Sequence, residues 1–232
     1  MAKLVQKSGY IKSGKASGYM RYIATREGVE KLAGNGSVTK GQRELIQKLL
    51  TDFPDAVELF EYEDYCKTPT LGTASAFITM ALDANLHGID SESGYMQYIA
   101  TRPRVQKYGS HGLFSSATAV DIASAMSELE AHEGNVWTII YSLRREDAAR
   151  LEFDNADAWR TLLMENAPTL AKSMKISLDN FHWYAAFHDE GHHPHIHMMV
   201  WSDDPKEGFL TKDGIAAMRS KLTNAIFRDE MQ

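Results

Sequence analysis

Residues 181–201 read FHWYAAFHDEGHHPHIHMMVW, and six of the nine histidines of the chain fall there: His182, His188, His192, His193, His195 and His197. FHWYAAFH is aromatic and has no breaker, while HIHMMVW is apolar and β-prone. Between them DEGHHP carries Gly191 and Pro194, so the stretch reads as two strands and a turn. Successive strand side chains point to opposite faces. His195, His197, Met199 and Trp201 therefore share one face, and so do His182, Tyr184, Ala186 and His188. Pairing the strands as a hairpin brings His188 beside His195 and His197. Three imidazoles with a coordination position left open suit a catalytic divalent ion. Scattered histidines are more often solvated or satisfied in a core, but a His-x-His strand with a third His across the turn is uncommon by chance. His192 and His193 lie in the turn, where they are expected to support a ligand or face solvent. His182 has the correct face but sits six residues from His188, too far along the strand to ligate.

Outward from the hairpin, NVWTIIYSLRR (135–145) is β-branched and aromatic and predicts a buried strand; LVQKSGYI (4–11) predicts another. Helices are expected over 116–132, over EDAARLEF, over NADAWRTLLMENAPTLAKSMK with a break near Pro168, and over KDGIAAMRSKLTNAIFRDE. The middle of the chain, RELIQKLLTDF, AVELFEYEDYC and LGTASAFITMALDANL, reads as three helices and is acidic over 52–65. One element occurs twice: SGYMRYIATR at 17–26 and SGYMQYIATR at 93–102 differ only at Arg21 against Gln97. A single pair at this spacing is no solenoid; it points to duplication of one helical element. In the first copy Tyr19, Tyr22, Ile23 and Arg26 share a helix face. Such a tyrosine stripe is more often packing than catalysis.

Composition excludes several classes. With 44% apolar and 24% charged residues in 232, the chain is ordinary for a globular protein. Cys66 is the only cysteine, which rules out an internal disulfide and a thiolate-rich metal site. MAKLVQKSGYIKSGK has no apolar core of a signal peptide, and no run approaches membrane-spanning length, so a cytoplasmic protein is expected. A net charge of −6 argues against indiscriminate coating of nucleic acid. The first 31 residues are nevertheless basic, with Lys3, Lys7, Lys12, Lys15, Arg21, Arg26 and Lys31 against Glu27 and Glu30; this suits a face that meets phosphates, and a solvated charged surface explains it equally well.

Imidazoles alone do not name a reaction, but the repeated tyrosines narrow it. A phenol that attacks phosphorus splits one hard displacement into two easier ones. With a free pKa of about 10 it needs help from a metal or base, and the phosphoryl oxygens need positive charge. HDEGHHPHIHMMVW resembles the third motif of HUH endonucleases of the relaxase class. YIATRE, YIATRPRV, GSHGLF, EGNVW, SLRREDAARL and AAFHDEGHHPH are similar to the MobL branch of MobP-type conjugative relaxases, through most of the chain.

That resemblance implies an α+β fold: a central antiparallel sheet with helices packed on one face, the histidines on the exposed face, and a helical insertion at about 41–90 of a relaxase domain spanning 1–232. It implies a metal-dependent enzyme that nicks one DNA strand at a transfer origin through a covalent 5′-phosphotyrosine and later rejoins it. His188, His195 and His197 would hold the metal, Mg or Mn. Tyr22 takes the nucleophile position best, Tyr98 next, and Asp189 would orient a ligand or help deprotonate the tyrosine. Lys12, Lys15, Arg26 and Arg102 would contact the DNA backbone, and His111 is expected to be structural. Partners implied are single-stranded origin DNA, accessory proteins of the nicking complex and a coupling protein. The competing readings are an HUH replication initiator, a metal-dependent hydrolase without covalent tyrosine, and a DNA-binding module with a structural metal. A tyrosine ahead of the histidines favours the relaxase over the initiator.

Overall fold

The structure, a computed structural model, describes residues 3–10, 36–85, 92–101, 105–107, 111–117, 119–189 and 193–228, with the side chains of 10, 92–95, 98 and 130 also outside the described set. The chain divides into two compact units, one of Met1–Ile11 with Ser91–Gln232 and one of Lys12–Asp90.

The first unit is built on a sheet of five antiparallel strands among the described residues. These are β1 (Val5–Tyr10), β2 (Leu113–Phe114), β3 (Trp137–Ser142), β4 (Phe181–His188) and β5 (His195–Ser202), in the spatial order β1-β3-β5-β4-β2. The hairpin β4–β5 is in the expected register, with His188 opposite His195 and Ala186 opposite His197. β5 is fully buried and central because β3 pairs along its other edge, Ser142 against His195 and Ile140 against His197.

One face, carrying Trp183, Ala185, Phe187, Ile196, Met198 and Val200, packs against two long helices, Ala156–Ser173 and Lys212–Ile226, through Trp159, Leu163, Leu170, Met218 and Leu222. The first of these starts where Asn155 accepts a hydrogen bond from the Ala158 N–H. The sequence predicts a break at Pro168; the helix runs through it. A proline inside a helix costs about 3 kcal/mol. Burying Trp159, Leu162, Leu163 and Leu170 in register on the sheet contributes about 1.5–3 kcal/mol each, which decides the matter.

The α+β class and the central antiparallel sheet agree with expectation. The histidine face differs from it, being covered rather than exposed. Helices Glu92–Thr101 and Ile122–Glu130 lay Met96, Ile99, Ala100, Ala125 and Leu129 against Leu113, Ala186, Met199 and Trp201. The second begins later than the predicted 116, because the Asp121 carboxylate caps it by accepting from the Ser124 N–H.

The second unit contains the helices Lys40–Asp52, Phe60–Lys67 and Leu71–Asn85, with a 3-10 turn at Pro54–Glu58. Leu49, Ala56, Leu59, Phe60, Phe77 and Ile78 are fully buried or nearly so. The helix predicted from Ala56 starts only at Phe60, since Pro54 opens the 3-10 turn and Leu59 is extended.

Among the described residues, the helices of at least six residues are, in chain order, α1 (Lys40–Asp52), α2 (Phe60–Lys67), α3 (Leu71–Asn85), α4 (Glu92–Thr101), α5 (Ile122–Glu130), α6 (Arg145–Arg150), α7 (Ala156–Ser173) and α8 (Lys212–Ile226).

Candidate metal centre

His188 closes β4 and His195 opens β5, so the two rings face each other across the ladder, with His197 one step further on the same face. Ring centroids are 5.3 Å apart for His188–His195, 4.6 Å for His188–His197 and 5.0 Å for His195–His197. One ligand nitrogen from each lies within 4.8 Å of the others. His188, His195 and His197 would hold a shared ion through these nitrogens. Among the described residues no other group of three His, Cys, Asp or Glu converges in this way.

Backbone carbonyls set two of the tautomers. His188 Nε2 lies 2.9 Å from the Ile99 carbonyl, and His195 Nδ1 lies 3.0 Å from the His193 carbonyl. A carbonyl only accepts, so each of these nitrogens carries the proton. The lone pairs are left on His188 Nδ1 and His195 Nε2, which are shut off from water together with His197 Nε2. Carbonyls that orient ligand imidazoles in this manner are a common support of metal sites. With relative exposures of 0%, 1% and 0%, the three rings are buried rather than on an open surface, and α4 reaches His188 through the Ile99 carbonyl.

The Ile99 carbonyl belongs to α4, the helix formed by the second copy of the repeated element. The residue before it is Tyr98, whose backbone therefore stands next to the group holding His188, though its side chain lies outside the described residues. Tyr22, Lys12, Lys15, Arg26 and Arg102 also lie outside them.

The other candidates divide. Asp189 forms an ion pair, its Oδ1 2.5 Å from Arg145 Nη2. His193, expected in the turn, is buried and supports His195 through its backbone. His111 is structural: its Nδ1 accepts from the Leu113 N–H and its Nε2 donates to the Val120 carbonyl. His182 is far down the strand as expected, opposite Trp201, with Nε2 2.6 Å from Asp203. Tyr184 shares the histidine face, but burial first, and the neighbouring Glu128 carboxylate second, push its phenol up to about 12. That makes it a poor nucleophile.

Sequence reasoning passed over Arg145 and counted Lys7 only within a basic N-terminal face. Lys7 is buried opposite Ile140, which is itself opposite His197, so a cationic side chain shares the row of a candidate ligand. Its phase in LVQKSGYI, two residues from Val5, was the available signal.

The family profile of the MobL relaxases matches residues 1–232. The chain belongs to the MobL relaxases. Its role is accordingly that of a DNA relaxase. No curated protein and no solved structure gives a significant match. No helix among the described residues of this relaxase is long and apolar enough to cross a membrane.

Proposed function

We propose that this relaxase nicks one DNA strand at a transfer origin in a metal-dependent reaction with a covalent 5′-phosphotyrosine, and later rejoins the strand. The observation that carries the reading is the buried convergence of His188, His195 and His197 against the helix that holds Tyr98.

The donor set suits a divalent ion. Three neutral imidazoles, two of them locked by carbonyls, leave coordination positions open, which is the pattern of a catalytic rather than a structural centre. Of the two ions that the family resemblance brings, Mn accepts nitrogen donors more readily than Mg, which is a hard ion that favours oxygen. When bound, the ion neutralises charge on the scissile phosphate and so supplies Lewis-acid catalysis.

The chain's own part is nucleophile, orientation and charge. A tyrosine of the repeated element, Tyr22 or Tyr98, attacks phosphorus through its phenolic oxygen. A bond forms between that oxygen and the 5′ phosphate while the bond to the 3′ oxygen breaks. The phenol's proton passes to solvent or a nearby base, and the departing 3′ oxygen gains one to end as a hydroxyl. Attack of that hydroxyl on the phosphotyrosine reverses the step and reseals the strand. Ile99 and His193 carbonyls keep the imidazoles aimed, and Asp189 acts through Arg145. Lys12, Lys15, Arg26 and Arg102 contact the DNA backbone. The enzyme works in the cytoplasm with accessory proteins of a nicking complex and a coupling protein.

The test is adduct mapping. The full chain is incubated with Mn and labelled single-stranded oligonucleotides tiling the DNA around its gene, and peptide–DNA adducts are located by mass spectrometry. An adduct at Tyr22 or Tyr98, lost on substitution of that residue by Phe, is expected. Cleavage that survives in both phenylalanine variants without an adduct would establish a hydrolase and overturn the covalent mechanism.

A further inference from the structure

Resting on that reading, we propose that Arg145 contacts a phosphate of the DNA strand at the nicking site, with Asp189 holding the guanidinium in place until DNA arrives.

The placement follows from the ladder. β3 ends at Ser142, directly opposite His195. The chain turns through Leu143, whose N–H bonds the Pro194 carbonyl at 3.2 Å, and Arg145 opens α6. From there it crosses β5 to reach Asp189, the residue after His188, at 2.5 Å. A cation is thereby tethered one residue from a candidate metal ligand. Arg150, by comparison, meets Asp147 within its own helix.

Exposure decides between a brace and a binding group. The Arg145 side chain is 33% exposed and that of Asp189 is 56% exposed. An ion pair so open to water adds little to stability, so holding strands together is a poor account of a contact that spans them. A guanidinium presents its N–H donors in a planar fork. The fork matches phosphate as well as it matches carboxylate. Positive charge held on the residue that follows a candidate ligand is also what a phosphoryl group needs as a phenol attacks it.

The experiment compares the full-length wild type with Arg145→Gln and Asp189→Asn. Affinity for a labelled, mixed-sequence single-stranded oligonucleotide is measured across a salt series. Arg145→Gln is expected to bind about tenfold more weakly, with the slope of log affinity against log salt reduced by about 0.7, the value of one single-strand phosphate contact. Asp189→Asn is expected to keep the slope and to bind as tightly as wild type or somewhat more tightly, because a competing anion is gone. Equal weakening in both variants with an unchanged slope would mark the pair as a brace and overturn the proposal, as would an Arg145→Gln variant that binds like wild type. Melting curves of each variant check that folding is intact, and Arg145→Lys, which keeps the charge, is expected to restore the slope. Failure of the wild type to bind single-stranded DNA would instead refute the relaxase mechanism from which the role of Arg145 follows.

Discussion

Manganese should raise the melting temperature of this relaxase, and His197→Ala should abolish the rise. His197 offers a ring nitrogen within 4.8 Å of those of His188 and His195, so its loss leaves only two ligands. An ion that binds only the folded protein stabilises it by about 2.7 kcal/mol at a hundredfold excess over its dissociation constant. For a chain of this size each kcal/mol moves the melting point by about 2–4 °C, so the expected rise is roughly 5–11 °C for the unit that carries the triad. The variant also loses a fully buried ring, which lowers its metal-free melting point by itself. The quantity to compare is therefore the shift between chelator and metal, measured by scanning calorimetry. Leu163→Ala is the control: Leu163 is buried on the opposite face of the sheet, and its truncation should cost about 2–5 kcal/mol while leaving the metal shift intact. Because ligation needs unprotonated rings, the shift should also shrink as the buffer is acidified. An equal rise in wild type and His197→Ala, or no rise with millimolar Mn, Zn or Ni, would refute the metal centre.

Glu207 accepts from the hydroxyls of Ser177 and Ser202, from Asn180 and from the Ser177 N–H, and these bonds, the two hydroxyls foremost, hold its carboxyl down at about 2. The folded value lies below the ordinary glutamate value of about 4.3, so its stabilisation is complete above that pH and is lost as pH falls toward 2; urea melts should find Glu207→Gln less stable than wild type near neutrality and the gap closing in acid. Gly208 has φ +82°, and an added Cβ would meet nothing closer than 3.9 Å. Gly208→Ala should therefore cost about 1–2 kcal/mol through backbone strain alone, with Gly208→Asn costing less in the same melts because Asn tolerates that conformation.

The sequence by itself determined the hairpin and its triad. Alternation in FHWYAAFH and HIHMMVW assigns His188, His195 and His197 to one face, and Gly191 with Pro194 marks where the strands turn. These are relations between residues close in the chain, set by the two-residue period of a strand, so local reading reaches them. The tertiary structure alone decided what covers that face. His188 meets the carbonyl of Ile99, 89 residues away, and Arg145 meets Asp189, 44 residues away. Such contacts depend on which apolar stripe docks on which sheet face. Apolar spacing announces that a helix such as α4 or α5 has a buried side without naming its partner. The same physics explains Pro168, whose local penalty is outweighed by contacts that the local sequence does not contain.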